Sequence, residues 1–138
     1  MEQAAFSLKG YQFTKAFLNL QKLQPQKELS INFMPKGCLC VSERTYKLEF
    51  QFSAGTESEE GFLSIVEVTC VAEFLFNNEV TLETIPVFFY PNSIAIMFPY
   101  IRAFVSTLTL QANIPPMVLP TLNLTSLQDT LKEHTTVE

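Results

Sequence analysis

Charge is scarce in this sequence. Only 17% of its 138 residues are charged, against 47% hydrophobic, and thirteen residues are Phe. Soluble domains usually carry about a quarter charged residues. The few charges sum to −5, which excludes a nucleic-acid partner, because nothing here could neutralise a run of phosphates. Histidine occurs once, as His134 in the tail. There is also no Gly-rich phosphate loop, no Ser-centred elbow and no metal-ligand cluster, so no catalytic constellation is expected and no cofactor is implied. Cysteines are few and odd in number: Cys38, Cys40 and Cys70. An oxidising compartment would leave one thiol over, so reduced thiols and a cytoplasmic location are expected. With a single tail histidine, no zinc site is expected either. The opening "MEQAAFSLKG" has no basic region followed by an apolar run, so no signal peptide is expected. The longest apolar stretches are broken by Pro or polar residues well short of the roughly 20 residues a membrane span needs, so no direct membrane insertion is expected.

What is present is apolar material in excess of what one small core consumes. Such a surplus goes to oligomer contacts or to a binding groove. The length allows one domain, residues 1–138, with a sheet over about 4–76 and a helical part over about 79–133.

The sheet reads most clearly at Tyr46 to Ser53, where Tyr46, Leu48, Phe50 and Phe52 alternate with polar residues. The polar run Ala54 to Gly61 predicts a hairpin loop. A long return strand follows to Phe76, with Val66, Val68, Cys70, Ala72, Phe74 and Phe76 on one face and Glu67 and Glu73 on the other. Upstream, Leu29, Ile31 and Phe33 alternate, and Leu39 and Val41 resume after Pro35-Lys36-Gly37, where a bulge or a bend is expected. The first strand, Phe6 to Phe13, changes phase at Gly10. The connection after it is apolar, with Phe17, Leu18, Leu20 and Leu23, and is expected to pack on the sheet or rim a groove.

Beyond Phe76 the pattern turns helical. Ile94, Met97, Ile101, Val105, Leu108 and Ala112 recur every three or four residues, with Asn92 as the expected cap. Ala95, Ile96, Phe98, Ala103 and Phe104 lie off that stripe, so a second covering is expected, a partner subunit. Pro99 should kink this helix or mark its start. Three prolines then break regular structure from Asn113 to Leu124. A short amphipathic helix follows, capped by Thr125 or Ser126, with Leu124, Leu127 and Leu131 as its stripe. The final residues, His134 to Glu138, are expected to be disordered.

The segment "FPYIRAFVSTLTLQANIPPMVLPTLNL" resembles the SecB family of protein-export chaperones. The resemblance rests on Phe98, Pro99, Tyr100, Arg102, Ser106, Leu108, Pro115, Pro116, Leu119, Pro120 and Asn123. It implies an α+β fold, a four-stranded antiparallel sheet followed by a long helix and a short C-terminal helix. It also implies a homotetramer, a dimer of dimers, in which Ile96, Tyr100 and Phe104 would lie at the oligomer interface. In the resemblance Pro99 would open the regular helix. Glu67 matches an acidic residue used by the family to dock SecA, while Gly10 and Thr14 stand at the matching acidic positions of the first strand.

The function implied is an ATP-independent holdase for unfolded or precursor polypeptides, with protein export as one setting. The client groove would be lined by Phe17, Leu18, Leu20, Leu29, Ile31, Phe33, Leu127 and Leu131. Two further readings stay open: a SecB-like chaperone dedicated to one client such as an antitoxin, and a non-catalytic module that binds a ligand or a protein.

Overall fold

Alternation of period two, read from Tyr46 onward, builds the centre of the molecule. In the computed structural model, residues 5–22, 29–115, 119 and 123–138 are described. Leu23, Pro116, Pro120 and half of the proline-rich break lie outside them. Strand β3 (Thr45–Ser58) pairs antiparallel with β4 (Gly61–Phe76) along their whole length. One face of the pair buries Tyr46, Leu48, Phe50, Phe52, Val66, Val68, Cys70, Ala72, Phe74 and Phe76, as their alternation requires. The expected eight-residue loop is instead strand. Only Glu59 and Glu60 form the turn, because Gly61 at φ 114° closes it tightly and Ser58 Oγ donates to the Gly61 carbonyl.

The edge strand β1 (Phe6–Leu18) is longer than its pattern suggests, since its phase changes twice. Register shifts between Leu8 and Gly10 and between Phe13 and Lys15 each insert one residue. Phe6 and Leu8, then Tyr11 and Phe13, then Ala16 and Leu18 therefore all reach the same face, opposite Phe76, Phe74, Ala72, Cys70, Val68 and Val66. Phe17 points the other way, opposite Glu67.

Strand β2 (Ser30–Cys40) pairs with β3 without interruption, so the bulge expected at Pro35-Lys36-Gly37 is not there. Gly37 N–H donates to the His134 carbonyl, away from β3. Pro35, two residues earlier, shares that orientation, so its missing N–H falls on the outer edge, where no β3 bond is lost. Gly37 is required where it stands, because a Cβ there would overlap the Tyr46 phenol.

The long helix α1 (Phe89–Gln111) lies on this buried face. It starts earlier than expected, with Phe88 rather than Asn92 at its N-cap. Pro91 is tolerated in the first turn, where backbone N–H groups have no intrahelical partner. Pro99 is inside the helix, not at its opening. Ala95, whose carbonyl loses its donor, and Pro99 are both exposed, so water can satisfy the freed group. Ile94, Met97, Ile101 and Val105 are fully buried, as their spacing requires, with Thr109 below them donating to the Val105 carbonyl. By length and hydropathy α1 could also cross a membrane, in contrast to the sequence expectation. Ile94, Met97, Ile101 and Val105 of that helix are spent on the sheet.

Helix α2 (Leu124–Glu133) is capped by Asn123, whose side chain accepts from Ser126 N–H, so neither Thr125 nor Ser126 is the cap. It packs against β2 and α1. The tail expected to be disordered forms strand β5 (Thr135–Val137), parallel to β2 at Gly37 to Leu39. Tyr46 Oη and Thr135 Oγ1 lie 2.6 Å apart, and Glu138 N–H donates to the Leu39 carbonyl. The sheet is thus five-stranded and mixed, in the order β1-β4-β3-β2-β5, rather than four-stranded and antiparallel.

Candidate functional site

The two flanks of α1 meet different strands. On one flank Tyr100 packs on Tyr11, ring centroids 4.5 Å apart, and Phe104 stacks on Phe13 at 4.1 Å. On the other, Phe98 meets Phe33 of β2 edge-on at 5.9 Å, and Phe33 also touches Phe50 and Phe52. Leu29, Ile31, Phe33, Phe98, Leu124 and Leu127 are all half-buried against the core. They make an apolar strip along β2, rimmed by α1 and α2. Each of these side chains can still lose water to a covering chain, which is where a hydrophobic binding surface has its free energy.

The residues expected to line the groove divide. Leu29 just before β2, Ile31 and Phe33 on β2 and Leu127 on α2 are all half-buried against the core. Leu18 and Leu20 are half-buried at the β1 side, with β4 and β3 between them and β2. Phe17 is 39% exposed on the opposite face of the sheet. Leu131 is fully buried and belongs to the core. One turn of helix separates it from Leu127, and that turn carries it under the Tyr46–Thr135 contact, where Thr135 Oγ1 donates to the Leu131 carbonyl. Phe98 was not among the expected groove residues. The signal for it was its place off the buried stripe of α1.

The residues expected at an oligomer interface are also placed unequally. Ile96 and Tyr100 are 37% and 40% exposed, whereas Phe104 is half-buried under its own chain's Phe13. Leu110, 57% exposed, extends the outer apolar side of α1.

The opposite sheet face is polar. Lys15 bonds Glu67 at 2.7 Å, Lys36 lies 2.9 Å from Glu49 and Lys9 lies 3.7 Å from Glu73. A shallow depression of about 410 Å³ runs between Lys15, Asn32, Met34, Glu67 and Thr69. Hydrogen bonds from Lys15 and Ser64 hold the Glu67 carboxyl below the ordinary glutamate range. The expected docking acid is therefore already paired, through one carboxylate oxygen in an exposed ion pair. The three cysteines are free, and burial pushes the Cys70 thiol up to about 11, which keeps it unreactive. Among the described residues no group of three or more His, Cys, Asp or Glu side chains could hold a metal ion.

The SecB family model, described as preprotein translocase subunit SecB, matches residues 5–134. An uncharacterized protein of Methanocaldococcus jannaschii is 50% identical over 42 residues, 30% of this chain. The match spans only 27% of that protein's length. Among solved structures, a SecB-like chaperone of Mycobacterium tuberculosis, in complex with a peptide from the HigA1 antitoxin, superposes with a TM-score of 0.67. The superposition covers 86% of this chain and 91% of that one at 15% identity, a likeness of fold.

Proposed function

The chain belongs to the SecB family, and on that premise we propose that it is a chaperone that holds unfolded polypeptides without ATP. The observation that carries this reading is the half-buried strip of Ile31, Phe33, Phe98 and Leu127. A holding protein needs no reacting group. It needs apolar side chains that gain by being covered, each worth roughly 1.5–3 kcal/mol when fully buried, and a polar face that keeps the complex dissolved. The ion-paired sheet face is suited to the second task. The outer side of α1, with Ile96, Tyr100 and Leu110, is the surface on which a dimer of dimers would assemble, in the cytoplasm, with its thiols reduced.

Clients from the general export pathway, delivered to SecA through Glu67, are one form of this function. A single dedicated client, such as an antitoxin, is the other. Gly10 and Thr14, which stand where the family carries docking acids in the first strand, favour the second. The SecB-like neighbour in complex with an antitoxin peptide points the same way. Suppression of aggregation of an unfolded protein, with mass followed by light scattering, tests the holding activity. Aggregation that proceeds unchanged at a tetramer excess rejects it. A pull-down of SecA separates the two forms: retention on wild type supports export, and no retention supports a dedicated client.

A further inference from the structure

Strand β2 carries two thiols on one face. Leu39, between them, is fully buried in the core, so Cys38 and Cys40 both point to the polar side of the sheet, in line with Met34 and Lys36. Both are free and half-buried, whereas Cys70 is fully buried. The polar side is turned away from α1, so an assembly through the outer side of that helix leaves it open. Two residues along a strand separate the Cβ atoms by about 6.6 Å. A disulfide needs them about 3.5–4.5 Å apart, so the unbent strand keeps the pair as two thiols. A metal ion in line between two thiolates, with bonds of about 2.3 Å, sets the sulfurs about 4.6 Å apart. Each sulfur then leans roughly 1 Å toward the other, within reach of a χ1 rotamer. Cys40 Sγ lies 3.6 Å from Ser42 Oγ and exchanges only that weak contact for the metal.

Two ligands are too few for a zinc site, and thiolates are the wrong ligands for magnesium or calcium, which take oxygen. They suit copper(I), a soft ion that thiolates select. Each thiol gives up its proton on binding. Copper(I) on two thiolates then carries one net negative charge, and the face supplies cations to meet it. Lys47 stands directly opposite Cys38 on β3, with Cβ atoms about 4.5–5.5 Å apart. None of the ion pairs among the described residues includes Lys47. Lys36, two residues before Cys38, is on the same face. We propose that Cys38 and Cys40 form a two-coordinate copper(I) site, with Lys47 balancing its charge. The site lies across the sheet from the client strip and does not depend on the holding reading.

Anaerobic titration of the reduced protein with copper(I), in competition with the chromophoric chelator bicinchoninate, tests the site. Wild type should take one equivalent per chain, with a thiolate-to-copper band in the ultraviolet and two sulfur neighbours by X-ray absorption. Cys38→Ser and Cys40→Ser should each lose about a hundredfold or more in affinity, and Lys47→Glu about tenfold, the scale of an outer partner. Cys70→Ala should bind as wild type does, and circular dichroism checks the folding of each variant. Copper left entirely with the chelator overturns the proposal, as do single Cys→Ser variants that bind with wild-type affinity. A rise in mass on loading, read by light scattering, also overturns it, because the ion would then join chains instead of closing one pair. Unchanged affinity in Lys47→Glu overturns the part assigned to the lysine.

Discussion

Phe13 of β1 lies flat against Phe104 of α1, ring planes 13° apart. An aromatic pair of this kind adds about 0.5–1.5 kcal/mol to the burial of its area. Phe104 therefore stabilises its own protomer, whatever it does between protomers. Phe104→Ala should cost roughly 2–3 kcal/mol of stability, read as a lower urea midpoint. Ile96→Glu should instead leave the protomer's melting nearly unchanged and split the assembly, because it would bury an unpaired charge between subunits. Sedimentation of the Ile96→Glu protein as an intact tetramer would remove Ile96 from the interface.

Two leucines one turn apart on α2 should behave oppositely. Ile31→Ser combined with Leu127→Ser changes half-buried positions, so far-UV circular dichroism should stay close to wild type. Client affinity should fall by roughly 1.5–3 kcal/mol, about ten- to a hundredfold, at half burial per side chain. Leu131→Ser places a hydroxyl in the core and should cost about 3 kcal/mol or more of stability. A folded double mutant with full affinity would move the client site elsewhere.

Gly37 and Tyr46 should be sensitive for a shared reason. Gly37→Ala sets a methyl group against a ring that is fully buried and has no room to retreat. A loss of about 2–4 kcal/mol is expected. Tyr46→Phe keeps the packing and removes only the contact with Thr135, for about 1 kcal/mol. Hydrogen exchange should then quicken at Glu138 N–H, which holds the end of β5, before it quickens in β3.

Alkaline pH should destabilise the fold in a defined order. Burial raises the Cys70 thiol from an ordinary value near 9 to about 11, and burial raises the Tyr46 phenol further still. In both cases the unfolded chain loses its proton first. Their contribution is thus full below the unfolded values and falls as pH rises, from about 9 to about 11 for Cys70. That step is worth roughly 2–3 kcal/mol. Cys70→Ala should lower the slope over this window by up to one proton's worth and leave the loss due to Tyr46, which begins near pH 10. An unchanged slope between pH 9 and 11 would assign it to other groups.

What the chain determines by itself is what depends on neighbours in sequence. The alternation from Tyr46 to Phe52 and from Val66 to Phe76 decides which face of β3 and β4 is buried, since successive side chains in a strand must point to opposite sides. The spacing of Ile94, Met97, Ile101 and Val105 decides the buried side of α1 in the same way. The phase change at Gly10 was legible because Phe6, Leu8, Tyr11 and Phe13 stand close around it.

Other features exist only once distant segments meet. The second phase change, at Thr14, is expressed in the register of β1 against β4, and it is this register that sends Phe17 and Leu18 to opposite faces. Three residues of β5 carry no readable period. They form a strand because β2 leaves the Gly37 N–H and the Leu39 carbonyl open and because the buried Tyr46 hydroxyl bonds Thr135. Leu127 and Leu131 belong to the same stripe in sequence. Which of them is core and which remains half-open is decided by where α2 crosses β2, and a helical period carries no information about that crossing.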